Sequence, residues 1–70
     1  MKETDKLRVL LPHWIEHNDE HAAQFRQWAV RAGEAEEDIL EAARLLEQAT
    51  GLLRSAMEKL GGSLEVNHTT

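Results

Sequence analysis

The sequence predicts an all-α protein: an antiparallel helical hairpin that dimerises into a four-helix bundle. Three observations carry that expectation. Ala, Leu, Glu and Arg dominate while β-branched residues are few, and the first four are good helix formers. Two stretches place apolar residues at alternating spacings of four and three, the rhythm of a coiled-coil seam. Between them stands Gly33, with Arg31 before it and carboxylates after it, the order of a helix C-terminus followed by a helix N-terminus.

Taken in order, Thr4 with Asp5 beside it is placed to cap an opening turn. Pro12 lacks an N–H and crowds the preceding turn, so residues 4–11 are expected as a separate or kinked turn, with the first regular helix running from about 12 to 32. Its seam reads Leu7, Leu11, Trp14, Phe25, Trp28 and Ala32, with Asn18 and His21 filling polar steps of the same rhythm. On this reading the two tryptophans, fourteen residues apart, are core rather than a stacking platform. The second helix is expected over about 35–60, with a seam of Ala35, Ile39, Ala42, Leu46, Ala49, Leu53, Ala56 and Leu60. Gly61-Gly62-Ser63 ends it, so residues 1–62 form the hairpin and 63–70 a tail. The tail contains Asn67-His68-Thr69, a glycosylation pattern that matters only in a secreted chain.

Folding back at Gly33 sets large against small: Phe25 opposite Ala42, Trp28 opposite Ile39, Leu11 opposite Ala56, and Leu7 near Leu60. Gly51 then falls near Asn18, where a small residue would permit close approach. The same rhythm also passes through Gly33 unbroken, so one long coiled-coil helix is the rival; the hairpin is preferred because it explains the Arg-Ala-Gly-Glu punctuation. Leu10, Ile15, Leu45, Leu52 and Met57 lie beside the seam and call for a second partner. A homodimer of hairpins is the economical answer, and a different partner protein is the other.

Seventy residues support one small domain, of a size that usually needs staples or assembly. Cysteine is absent, which fits a reducing cytoplasm. The net charge of −5 argues against a nucleic-acid surface. No transmembrane run, signal peptide or lipidation site is read, so no membrane association is expected. Acidity concentrates after Gly33, at Glu34, Glu36, Glu37, Asp38 and Glu41, where carboxylates favour a helix N-terminus.

The one cluster with chemistry is "PHWIEHNDEH", which sets His13, His17 and His21 four residues apart, one row on a helix. Two histidines at i, i+4 can share a metal ion; all three cannot, because the outer two stand about 12 Å apart along the axis. The expected ligands are His17 with His21, or His13 with His17, completed by Glu20, Glu16 or Glu47 from the second helix. Imidazole with carboxylate suits zinc, nickel, cobalt or iron, of which divalent nickel or zinc is the expectation carried forward. Locally satisfied histidines and a proton-linked switch are the competing readings. No nucleophile beside a base and no phosphate loop is present, and the histidine row lacks the Glu-x-x-His of di-iron bundles, since His13 and His17 are followed rather than preceded by Glu three residues on, so no enzyme is expected.

The block from Leu7 to Ala29, with Pro12-His13-Trp14, His17-Asn18 and His21 as its distinctive part, resembles a small uncharacterised prokaryotic helical domain. That domain is associated with small nickel-binding proteins of carbon monoxide dehydrogenase maturation, so the resemblance implies a metal-handling context with nickel preferred. It supplies no catalytic residues. The functional expectation is a carrier, sensor or accessory for a divalent transition metal. The alternative is a metal-free helical module for protein–protein interaction or oligomerisation.

Overall fold

The computed structural model describes residues 2–64 and is an antiparallel pair of helices. Helix α1 runs Glu3–Ala29, a 3₁₀ turn covers Gly33–Ala35, and helix α2 runs Glu36–Leu60. The reversal depends on Gly33, whose φ of 60° lies in the left-handed region that glycine enters without a Cβ penalty. The long-helix alternative is thereby removed. Glu34 falls in the 3₁₀ turn and Glu36, Glu37 and Asp38 in the first turn of α2, where the acidic run meets the positive end of the helix dipole.

Helix α1 differs from expectation at its start. It begins at Glu3 and passes through Pro12, rather than forming a separate turn over 4–11. Thr4 consequently lies inside the first turn, and Lys2 occupies the N-cap position without a side-chain hydrogen bond. A mid-helix proline leaves the carbonyl four residues earlier without its helical donor. Here that carbonyl belongs to Arg8, and it accepts the Leu64 N–H at 3.2 Å. The proline penalty is thus partly offset by the chain beyond α2.

The same corner closes the open end of the hairpin. Gly61 (φ 105°) donates to the Glu58 carbonyl and Gly62 to the Met57 carbonyl, a Schellman termination. The Arg8 guanidinium donates to the carbonyls of Gly62 at 2.8 Å and Gly61 at 3.2 Å, placing a cation at the negative end of α2. Of the tail expected over 63–70, Ser63 and Leu64 are described; His68 and the Asn67-His68-Thr69 pattern lie outside the described residues.

The seam between the helices is narrower than its residue types suggest. Buried positions are Leu11, Ala22 and Ala29 on α1 and Ala43, Thr50 and Met57 on α2, flanked by half-buried Ile15, Asn18, Phe25, Ile39, Leu46 and Leu53. Both sets keep a strict four-three repeat. Every second step of the expected seam is correct: Leu11, Asn18, Phe25, Ile39, Leu46 and Leu53. The alternate steps are displaced by one residue, so Ile15, Ala22 and Ala29 replace Trp14, His21 and Trp28, and Ala43, Thr50 and Met57 replace Ala42, Ala49 and Ala56. The tryptophans are therefore not hairpin core. Small residues at the buried steps let the backbones approach, and an indole would not fit between them. Thr50 is satisfied there by donating its hydroxyl to the Leu46 carbonyl at 2.9 Å. Gly51 does not mediate close approach; a Cβ on it would meet nothing within 4 Å.

Candidate functional site

The displaced seam divides the hairpin into two unlike faces. In an antiparallel helix pair the residues just to one side of both seams meet along one flank, and those on the other side along the opposite flank. One flank carries Asp19 and Arg26 from α1 against Arg54 and Glu47 from α2. Arg26 grips Glu47 bidentately at 2.7 and 2.8 Å, and Arg54 pairs with Asp19. Arg44 and Glu41 pair along α2 itself. The Arg26 hydrogen bonds hold the Glu47 carboxyl below its ordinary pKa, and Arg44 does the same to Glu41. This flank is polar and internally satisfied.

The opposite flank carries Leu7, Trp14, His21 and Trp28 from α1 and Ala42, Ala49 and Ala56 from α2, each row at a spacing of seven. Outside them lie Leu10, His17 and Gln24 on α1, and Leu45 and Leu52 on α2. Six of these are large exposed hydrophobics: Leu7, Leu10, Trp14 (45%), Trp28 (60%), Leu45 (50%) and Leu52 (73%). They amount to roughly 650 Å² of exposed surface if a whole Leu offers about 200 Å² and a Trp about 250 Å². The largest apolar patch on an ordinary monomer is about 300–600 Å². Near the turn this face opens into a groove of about 420 Å³ lined by Gln24, Phe25, Trp28, Asp38, Ile39 and Ala42. The Arg31 guanidinium lies 5.1 Å from the centroid of the Trp28 ring.

The histidine strip does not form a metal centre. His13, His17, His21 and Glu20 are all exposed on α1. Among the described residues no three His, Cys, Asp or Glu side chains come together in a way that could hold an ion. The physical reason is twofold. Successive histidines on one helix are about 6 Å apart along its axis, so a third ligand has to come from elsewhere. Of the carboxylates expected to complete the site, Glu16 and Glu20 are exposed on α1 and form no such group with the histidines, and Glu47 is on the other flank and held by Arg26. The expectation of a nickel or zinc carrier, sensor or accessory is therefore overturned, and the helical interaction module is the better-supported reading. His17 and His21 instead belong to the margin of the apolar face.

Sequence reasoning placed Leu10, Leu45 and Leu52 outside the hairpin seam, and they are exposed; Met57 and Ile15, grouped with them, belong to the seam. It missed Trp14 and Trp28 as surface residues. A usable signal was present in the charges: Asp19 and Arg26 against Glu47 and Arg54 mark one flank by pairing, which leaves the tryptophan row to the other.

A family model described as a domain of unknown function, DUF8180, matches residues 7–60. The chain belongs to this family. The DUF8180 match spans both helices and the turn, and so covers the apolar face from Leu7 to Ala56. It brings no histidine motif and no link to nickel-binding maturation proteins. Searches of curated proteins and of solved structures each returned no match. Among the described residues no helix is long and apolar enough to cross a membrane.

Proposed function

We propose that this DUF8180 chain is a protein–protein interaction module that works by self-association, its apolar face closing against another such face to make a four-helix bundle. It acts by binding rather than by catalysis. The observation that carries the reading is the segregation of the surface, with cross-helix ion pairs on one flank and six exposed large hydrophobics on the other. The lone hairpin also lacks a deep core. Thr50 is its largest side chain buried to less than 2% exposure, and its radius of gyration is 15.2 Å, against about 11 Å for a compact domain of this length. Hiding roughly 650 Å² on each copy would approach the ≈ 800 Å² per partner of a standard interface.

Light scattering on chromatographed protein tests the proposal through two surface variants. Leu52→Glu places a charge in the apolar face and is expected to yield monomer at micromolar concentration. Glu37→Lys, outside that face, is expected to leave the assembly intact. Equal behaviour of the two variants would refute the reading.

A further inference from the structure

The two halves of the apolar face differ in relief, and the difference selects one way for two copies to meet. The α1 side is a ridge built on Leu7, Trp14 and Trp28, whereas the α2 side beside the seam is a trough floored by Ala42, Ala49 and Ala56. Trp14 stands level with Ala56, His21 with Ala49 and Trp28 with Ala42, as the antiparallel register and the shared Trp28–Ala42 groove require. Resting on the self-association proposed above, we infer that the occupant of this face is a second copy related by a two-fold axis parallel to the helices. In that arrangement α1 of each copy lies over α2 of the other, with both turns at the same end.

Shape and charge favour the same choice. Rotation about such an axis exchanges left and right but preserves height, so each Trp28 sits over the partner's Ala42 and enters its groove, while each Trp14 sits over the partner's Ala56. Ridge enters trough twice, the alternation of large and small that fills a core without voids. Turning the partner end over end would instead set tryptophan row on tryptophan row and leave the alanine rows facing one another across a gap. Arg31 and Asp38 flank the turn on this face, and neither forms a salt bridge among the described residues. With the turns together, each Arg31 comes level with the partner's Asp38, giving two symmetry-related charge pairs at the rim. With the turns apart, Arg31 and the partner's Asp38 lie at opposite ends of the bundle.

Charge reversal tests the arrangement. Arg31→Asp chains would place like carboxylates together in their homodimer, and Asp38→Arg chains would place like cations together. In the mixed dimer both pairs are restored to opposite charge. The mixed species is expected to exceed the statistical half by native mass spectrometry of the exchanged chains, and a statistical mixture would overturn the arrangement. Spin labels on Glu34→Cys give an independent reading in a chain with no other cysteine. Turns at one end predict a distance on the order of 20 Å, whereas an end-over-end dimer predicts about 40 Å, the length of a 27-residue helix. A dimer with the long distance would overturn this inference and leave self-association standing. A chain that stays monomeric at all accessible concentrations would overturn both.

Discussion

Leu52 offers a perturbation whose consequences for the single hairpin and for the assembly differ. It is 73% exposed on the outer edge of α2, so within one chain its side chain has little to lose. Leu52→Ala removes three carbons and slightly improves helix propensity, and the stability of the isolated hairpin is expected to change by less than about 0.5 kcal/mol. In the bundle the same side chain is covered on both copies. At about 0.8 kcal/mol per buried carbon the full loss is about 2.4 kcal/mol per copy and about 5 per dimer. Incomplete burial at an interface edge reduces that to about 2–4 kcal/mol, a rise in Kd of roughly 30- to 1,000-fold. Sedimentation of wild type and variant over a thousandfold concentration range measures the change directly. A Kd within about threefold of wild type would show that Leu52 is not covered and would refute the interface argued from it.

Other residues give predictions for the hairpin itself. Arg8→Ala deletes two charged hydrogen bonds to the end of α2 and is expected to lower stability by about 1–2 kcal/mol in urea unfolding, with Lys6→Ala as the neutral control. Gly51→Ala replaces an exposed mid-helix glycine in open space and is expected to raise stability by about 1 kcal/mol, read as a higher urea midpoint. Because Arg26 holds the Glu47 pKa below its unfolded value, the contribution of this carboxylate is present above the unfolded pKa and is lost as pH falls through the folded one. Glu47→Gln should therefore lose less stability than wild type between about pH 7 and about pH 3, as followed by circular dichroism melts.

The fold class and the reversal were legible because they depend on local signals: helix-forming composition, a four-three repeat and the glycine at Gly33. The face of each helix was only half legible. The shared steps, such as Leu11, Phe25, Ile39 and Leu46, are large and aliphatic or aromatic and announce themselves. The alternate steps offered a choice between Trp14 and Trp28 on one side and Ile15, Ala22 and Ala29 on the other. Reasoning from residue size favours tryptophan for the core, but two helices in close contact exclude it and bury alanine instead. What looked like core in the chain is surface in the hairpin, and becomes core again only if the hairpin is covered.

Pro12 misled for a related reason. Its local penalty is genuine, yet the Arg8 carbonyl it leaves free finds the Leu64 N–H more than fifty residues later, a partner no window of sequence reveals. The histidine strip misled differently. Spacing of four correctly put His13, His17 and His21 in one row, but a metal site needs a third ligand at the right height, and that is a tertiary fact. Glu47, the candidate ligand from the second helix, is bound by Arg26 on the polar flank.

Sedimentation equilibrium on the unmodified chain addresses the central claim most directly. One hairpin has a mass of 8.0 kDa. If the tryptophan and leucine face is an interface between copies, micromolar protein should behave as a species of about twice that mass, with reversible dissociation on dilution. A single species at the mass of one chain, unchanged as concentration rises into the hundreds of micromolar, would contradict it.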